Sequence, residues 1–274
     1  MRRNVFLWAL LLAGVPALLA ATLYDQSIAR RLDERFPQKE ISYLLLDART
    51  GTVVAARWEA VDRPVPVGSL VKPFTAVAYG QANEFQYPEF VCRGSAGGCW
   101  YAPGHGRIGL TQAIAHSCNA YFRQLARRVD PAQARAVLDR FGLTGPPPAP
   151  SADTLIGLGE DWRIKPLSIL DAYRELSSRA AEPGVRDVIR GMALSAQIGT
   201  GRGVGRALGG RAAWVKTGTA PCIHGVEWSG DGYALILYPA NSPRLALLVR
   251  AHGKPGADTA VVAGQMLRAV LDGE

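Results

Sequence analysis

The chain is organised around one stretch, Val67-Gly68-Ser69-Leu70-Val71-Lys72-Pro73-Phe74. A serine hydroxyl is a poor nucleophile at neutral pH until an adjacent group takes its proton. Ser69 and Lys72 are three residues apart, a spacing that places both side chains on one face of a helix. The pattern therefore predicts a serine nucleophile served by a lysine amine. An N-cap serine beside a solvated lysine is the alternative, and it explains most isolated S-x-x-K patterns.

A second motif, Lys216-Thr217-Gly218-Thr219, falls inside a predicted strand. Glycine weakens a strand, and it is tolerated where another backbone or a ligand comes close. Lys216 supplies a cation, while Thr217 and Thr219 place two hydroxyls on the same strand face. These features favour an edge that binds an extended peptide with a carboxylate end. An edge strand protected by lysine is the alternative.

A third motif, Ser117-Cys118-Asn119, lies between two predicted helices. The Asn119 amide can both donate and accept hydrogen bonds, and the Ser117 hydroxyl can pass on a proton. Alone, the triplet is better explained as a helix cap. The meaning of the three motifs comes from their order in one chain.

In the order S-x-x-K, S-x-N and K-T-G, the motifs are typical of penicillin-binding proteins. The chain resembles the transpeptidase domain of that family over roughly residues 41–271. The resemblance extends to GHGRIGLTQAIAHSCNAYF, residues 104–122, and to GLGEDWRIKPL, residues 157–167. It is therefore broader than the three short motifs.

The resemblance implies a role for each matching residue. Ser69 would attack the carbonyl of a D-alanyl-D-alanine stem peptide or a β-lactam, with Lys72 as the base. Ser117 would relay a proton to the leaving amine, and Asn119 would bind the substrate amide. Lys216, with Thr217, Gly218 and Thr219, would receive the substrate carboxylate. The backbone N–H groups of Ser69 and Thr219 would form the oxyanion hole.

The resemblance implies a D,D-transpeptidase or D,D-carboxypeptidase that acts on peptidoglycan stem peptides and is acylated by penicillin. Two alternatives keep the same cleft: a class D-like β-lactamase, and a sensor without catalysis that detects β-lactams or muropeptides. Class D enzymes usually have valine where this chain has Asn119, which favours the transpeptidase. A deacylating glutamate of the class A kind has no obvious counterpart in the sequence.

Hydrophobic periodicity predicts an α+β fold. Strand patterns occur at residues 41–47, 52–58, 212–220, 232–238 and 244–252, while helical patterns fill the middle of the chain. We therefore expect an α/β sandwich of the serine β-lactamase and transpeptidase type. Its antiparallel sheet is built from both chain ends and flanked by helices, with a helical insert at about residues 69–210. The glycine-rich residues 199–210 are expected to form a mobile lip.

The N-terminus predicts export. Two arginines precede an uncharged, largely apolar run that ends at Tyr24, so residues 1–24 are expected to be a membrane anchor or a cleaved signal peptide. Residues 25–40 would be a tether, and residues 41–274 the catalytic domain in the periplasm or extracytoplasmic space. The formal charge of +8 suits nucleic acid, but the arginines are scattered and no nucleic-acid motif accompanies them. We expect no nucleic-acid partner.

The four cysteines suit an exported protein. Cys92 and Cys99 enclose a glycine-rich loop and are expected to form a disulfide, with two free thiols as the alternative. Whether Cys118 and Cys222 pair is open at this stage. The histidines show no HExxH or comparable spacing, so we expect no metal and no cofactor.

Overall fold

The structure is a computed structural model that describes residues 15–223 and 228–273, with side chains from residue 23 onward. The helices are α1 (Val15–Arg35), α2 (Lys72–Ala82), α3 (Leu110–Ala115), α4 (Asn119–Ala126), α5 (Pro131–Arg140), α6 (Ala152–Leu155), α7 (Pro166–Ser178), α8 (Val185–Ile198), α9 (Arg202–Ala207) and α10 (Gly256–Leu271). The strands are β1 (Ile41–Asp47), β2 (Val53–Arg57), β3 (Val65–Pro66), β4 (Phe90–Cys92), β5 (Gly106–Ile108), β6 (Arg163–Ile164), β7 (Trp214–Ala220), β8 (Asp231–Tyr238) and β9 (Leu245–His252). Short 3-10 turns occupy Gly68–Val71 and Gly94–Gly97.

Five strands form one sheet in the order β2-β1-β9-β8-β7. Every neighbouring pair is antiparallel, and β1 pairs with β9, so the first and last strands of the chain meet in the centre of the sheet. The predicted α+β fold, with a sheet built from both chain ends, is confirmed. The sheet ends at β7, the strand that contains the K-T-G motif.

The central strands are buried on both faces. In β8, Tyr233 and Leu235 belong to one core, whereas Ala234 and Ile236 belong to the other. Successive side chains of a strand point to opposite faces, so helices must cover both sides of the sheet. Helices α1, α9 and α10 cover one face, and the helical subdomain covers the other. This is why β1, β8 and β9 appear in the sequence as nearly continuous apolar runs.

The helical subdomain packs around α2. The ring of Phe74 makes edge contacts with Phe141 and Tyr173, at centroid distances of 5.2 and 5.4 Å. Aromatic pairs at such distances contribute about 0.5–1.5 kcal/mol beyond their buried area. Helix α2 is therefore held at its buried first turns, which is where Lys72 lies.

The region before β1 is helical. Helix α1 includes most of the segment expected to be a tether, and its Ile28 and Leu32 are buried against the sheet. The expected anchor, residues 1–24, lies partly outside the described residues. Within residues 15–223 and 228–273, no helix combines the length and the apolar character that crossing a bilayer requires.

The glycine-rich segment at residues 199–210 is packed rather than open. It contains α9, and small residues allow α9 to lie directly against its neighbours. A Cβ atom at Gly203 would lie 2.8 Å from Val261 on α10, and one at Gly205 would lie 2.1 Å from the carbonyl oxygen of Ala196 on α8. Its glycines therefore serve close packing, and the expectation of a mobile lip is not what the structure shows.

Candidate active site

Ser69 lies in the Gly68–Val71 turn, directly before α2. Gly68 has φ +59, and a Cβ atom there would lie 2.3 Å from the carbonyl oxygen of Thr219. Glycine is needed at this position for both reasons, the positive φ and the close approach. The Tyr173 hydroxyl donates to the Leu70 carbonyl at 2.7 Å and holds the same turn from the other side. Ser69, the predicted nucleophile, is thus placed on a turn fixed against β7.

Lys72 is fully buried at the start of α2. Its Nζ donates to the Ser117 carbonyl oxygen at 2.9 Å and to Asn119 Oδ1 at 2.5 Å, and it lies 5.6 Å from the centre of the Phe122 ring. Burial, only partly opposed by the charges of Cys118 and Cys99, lowers the pKa of Lys72 to about 7. A large fraction of this amine is therefore neutral near pH 7 and can accept a proton.

Ser117 lies between α3 and α4 with φ +51. A serine in this region is strained by roughly 1–3 kcal/mol, and such strain is common where function fixes the backbone. The Oγ of Ser117 accepts a hydrogen bond from Lys216 Nζ at 2.8 Å, and the carbonyl oxygen of Ser117 accepts one from Lys72. Two lysines from different elements therefore converge on one serine.

Lys216 on β7 is also fully buried. Besides Ser117, its Nζ donates to the Thr217 carbonyl oxygen at 2.6 Å. Burial, with repulsion from Lys72 as a second cause, holds the pKa of Lys216 well below its usual range. An incoming carboxylate would favour the charged form of this amine, because an opposite charge nearby raises the pKa of a lysine.

The motifs line one cavity of about 370 Å³. Its wall includes Ser69, Ser117, Asn119, Thr217, Gly218 and Thr219. The backbones of Gly68 and Thr219 touch, since a Cβ atom at Gly68 would also lie 2.8 Å from the Thr219 nitrogen. The fold therefore brings together the residues that the three motifs predicted to act together. The two backbone segments expected to form an oxyanion hole are in contact.

The same cavity has wall residues that sequence reasoning missed. Trp100 is 53% exposed, and its Nε1 donates to the carbonyls of His116 and Ser117 at 3.1 and 3.2 Å. The Thr217 hydroxyl donates to the Thr200 hydroxyl at 2.6 Å, and the Gly256 N–H donates to the Thr219 hydroxyl at 2.9 Å. The sequence around these three residues offered no motif, although a tryptophan directly after Cys99 was a signal that could have been used.

The cysteines differ from the expectation. Cys92 and Cys99 are free thiols, so the predicted disulfide between them is absent. The loop instead turns both sulfurs towards His105, and Cys118 completes a group of four possible metal ligands. The expectation of no metal missed this group because its members are spread over residues 92–118. Within the described part of the chain, Cys222, Asp231 and His252 form a second, smaller group.

Comparisons with known proteins agree with this geometry. The family model described as the penicillin binding protein transpeptidase domain matches residues 41–272. Among curated proteins, the sequence has no significant match. Solved structures similar to this chain include PBP2 of Pseudomonas aeruginosa in complex with WCK 5153. It has a TM-score of 0.75 and 19% identity, with 90% of this chain and 76% of that one covered.

Two further structures support the same fold. The TP domain of Burkholderia pseudomallei penicillin-binding protein 3 has a TM-score of 0.67 and 17% identity, with 92% of each chain covered. PBPA of Mycobacterium tuberculosis has a TM-score of 0.67 and 18% identity, with 84% of this chain and 74% of that one covered. Since the family model spans most of the chain and the three motifs meet in one cavity, the chain belongs to the penicillin-binding protein transpeptidase domain family.

Proposed function

We propose that the protein is a serine acyltransferase that acts on the D-alanyl-D-alanine ends of peptidoglycan stem peptides and is acylated by β-lactams. The observation that carries this proposal is the convergence on Ser117. Lys72 and Lys216 both donate to it, in the cavity onto which Ser69 opens. A buried amine whose pKa is lowered to about 7 has the basicity that general-base catalysis at neutral pH requires.

Substrate binding follows from the position of β7. Because β7 is the last strand of the sheet, its outer edge can pair with an extended peptide. In our proposal the peptide's terminal carboxylate reaches Lys216, with Thr217 and Thr219 as hydroxyl donors. Asn119 binds the amide of the residue before the scissile bond.

Acylation begins when the Ser69 hydroxyl attacks the carbonyl carbon of the D-alanyl-D-alanine bond. The Ser69 proton passes to neutral Lys72, and the negative oxygen that develops accepts from the backbone N–H groups of Ser69 and Thr219. Losing one donor of such an oxyanion hole typically costs about 3–4 kcal/mol of transition-state stabilisation. The close approach of the Gly68 and Thr219 backbones supports this arrangement of the two donors.

The carbon–nitrogen bond then breaks. Lys216 donates to Ser117 Oγ, so the Ser117 hydroxyl hydrogen is free to be given to the leaving amine of D-alanine. The proton held by Lys72 replaces it, and none is gained or lost overall. Attack on the acyl-enzyme by a second peptide's amine gives a cross-link, whereas attack by water gives a trimmed peptide.

Labelling with a fluorescent penicillin tests the proposal. We expect the wild-type protein to be labelled covalently and Ser69→Ala to show no label above background. Ser178→Ala, which removes an exposed serine hydroxyl on α7, is the matched control and should label like the wild type. Absence of label on the wild type, or undiminished label on Ser69→Ala, would refute the nucleophile.

The alternative functions predict other products. A β-lactamase hydrolyses nitrocefin over many turnovers, whereas the proposed enzyme stops near one equivalent because its acyl-enzyme is slow to hydrolyse. A sensor is acylated but releases no D-alanine from a defined pentapeptide. Release of D-alanine, with or without a cross-linked product when an amine acceptor is added, separates transpeptidase from carboxypeptidase.

We also propose that the catalytic domain acts outside the cytoplasmic membrane, held there by residues 1–24. The support is the apolar run behind two arginines and the location of the substrate class. Protease added to intact spheroplasts should degrade the domain, and protection of the domain from protease would contradict this placement.

A further inference from the structure

Three cysteines and one histidine meet beside the active site. Sγ of Cys92 lies 3.5 Å from Nδ1 of His105, Sγ of Cys99 lies 3.6 Å from the same nitrogen, and the sulfurs of Cys99 and Cys118 are 3.7 Å apart. All four atoms lie within 4.8 Å of one another. The three cysteines are buried, and His105 is half-buried.

These separations match tetrahedral zinc coordination. Zinc–sulfur bonds of about 2.3 Å and zinc–nitrogen bonds of about 2.0–2.1 Å, at tetrahedral angles, place two sulfurs about 3.8 Å apart and a sulfur and a nitrogen about 3.6 Å apart. A disulfide would instead need a sulfur separation of about 2.05 Å. The three separations of 3.5–3.7 Å therefore fit ligands of one zinc ion, and the 3.7 Å between the sulfurs of Cys99 and Cys118 is too long for a disulfide.

The ligand set also selects the metal. Three thiolates and one imidazole suit zinc, whereas magnesium, calcium and manganese prefer oxygen ligands. Four protein ligands leave no position for water or substrate, which is the pattern of a structural site and not of a catalytic one. An ion in this cluster would accordingly take no direct part in the chemical steps at Ser69.

The backbone around the cluster is built for close turns. Cys92 ends β4, and it pairs with Gly106 in β5, directly after His105. A Cβ atom at Gly94 would lie 1.9 Å from the Ala102 carbonyl oxygen, and one at Gly104 would lie 2.4 Å from the Cys92 carbonyl oxygen. Two glycines with positive φ thus let the loop fold back so that three ligands face one point.

The fourth ligand comes from the catalytic segment. Cys118 separates Ser117 from Asn119, the two residues to which Lys72 donates. The same loop also reaches this segment through Trp100, which donates to the Ser117 carbonyl. A metal ion bound to Cys118 would therefore tie the β4–β5 region to the backbone that positions Ser117 in its strained conformation.

We propose that Cys92, Cys99, His105 and Cys118 bind one zinc ion in a closed structural site that fixes the Ser117–Asn119 segment against the β4–β5 loop. Binding releases one proton from each cysteine thiol. The His105 ring stacks on His116 at a centroid distance of 5.1 Å, which orients Nδ1 towards the sulfurs. Such outer contacts commonly support metal ligands.

Metal analysis tests the site without any assay of activity. The full chain is incubated with zinc and desalted, and its bound zinc is measured by inductively coupled plasma mass spectrometry. We expect one zinc ion per chain. Cys99→Ser should lose most of it. Cys222→Ser is the matched control, since Cys222 belongs to the other group of ligands, and it should retain one zinc. No zinc on the wild type, or its loss on Cys222→Ser alone, would overturn the proposal.

Two measurements on the wild-type chain keep the test valid if Cys99→Ser does not fold. Cobalt in place of zinc should give the visible bands of a tetrahedral ion and the near-ultraviolet band of thiolate ligands, and their absence would contradict the site. Denaturation with a chelator should release all four cysteines as titratable thiols. Two thiols only would indicate the disulfide instead.

The positioning role rests on the proposed function and needs its own readout. Stripping the zinc should slow labelling by penicillin about tenfold, the order of loss seen when outer support of a site is removed, and zinc should restore the rate. An unchanged rate would refute the positioning role, and the existence of the zinc site would still be decided by the metal analysis. A zinc-loaded chain that never labels would refute the proposed function alone.

Discussion

At the scale of single residues, Lys72 sets the pH dependence of acylation in the proposed mechanism. Its pKa is lowered to about 7, so it is mostly charged below that pH and mostly neutral above it. Only the neutral amine can take the Ser69 proton. The charged or titratable groups that act on its pKa are Cys118, Cys99 and Arg123, and Lys72 in turn lowers the pKa of Lys216.

We therefore predict that the rate of acylation by penicillin rises with pH through about 7 and then levels off. Stopped-flow or quenched labelling over the range in which the fold is stable measures this profile. Lys72→Arg keeps a positive charge but provides no base near neutral pH, and should slow labelling by about 100-fold or more. A flat profile in the wild type would contradict the assignment of Lys72.

The roles of Ser69, Lys72 and Lys216 could be proposed from the sequence because each belongs to a short motif with a fixed spacing. The contacts of Lys216 could not, since its hydrogen bond to Ser117 joins residues 99 positions apart. The grouping of Cys92, Cys99, His105 and Cys118 could not be predicted for the same reason. The spacing of Cys92 and Cys99 suggested a disulfide, and only the folding of the loop shows a different arrangement.

At the scale of elements, the contact between the Gly68–Val71 turn and β7 is the most sensitive. Alanine at Gly68 would place a Cβ atom 2.3 Å from the Thr219 carbonyl oxygen, and the atoms that it meets belong to the Thr219 backbone and cannot rotate away. We predict that Gly68→Ala lowers the free energy of unfolding by about 2–4 kcal/mol and strongly slows acylation, because overpacking adds to the cost of the positive φ.

Gly209→Ala is the matched control for this prediction. Gly209 has φ +62, close to that of Gly68, but a Cβ atom there meets nothing within 4 Å. The free energy of unfolding of this variant should fall only by the roughly 1–2 kcal/mol that the left-handed conformation costs an L-residue. Its rate of acylation should not change. Denaturant unfolding and labelling of both variants decide the matter, and equal losses would mean that the contact with Thr219 is unimportant.

Elements of strong periodicity were predictable from the sequence, and the glycine-rich ones were not. Strands β7, β8 and β9 lie where their apolar runs predicted them. Residues 199–210 were expected to be mobile, because glycine usually raises the entropy of the unfolded chain. In α9 the absence of a side chain at Gly203 and Gly205 instead allows close contact with α10 and α8, which are not adjacent to these glycines in the sequence.

At the scale of the whole molecule, α1 belongs to the packed structure. Leu32 is 0% exposed and lies in the core on the face of the sheet that α10 covers, whereas Leu23 on the same helix is 64% exposed. We predict that Leu32→Ala lowers the free energy of unfolding by about 2–4 kcal/mol, as expected for a buried leucine. Leu23→Ala should change it by less than about 0.5 kcal/mol. Thermal or denaturant unfolding measures both, and similar values would show that α1 is not packed.

The overall architecture was predictable because both ends of the chain carry apolar strands while the middle is helical. The packing of residues 25–35 was not, since their charged residues resemble a tether and only Ile28 and Leu32 are buried in the core, with Ala29 packed against it. Their burial depends on contacts with β2 and α10, which no local pattern in α1 encodes.

The account depends above all on a covalent bond at Ser69. Intact-mass measurement of the wild-type chain after incubation with benzylpenicillin, followed by peptide mapping, tests it most directly. The account predicts a gain of one penicilloyl group, located on the peptide that contains Ser69 and absent from Ser69→Ala. An unmodified wild-type chain, or an adduct on any other residue, would contradict it.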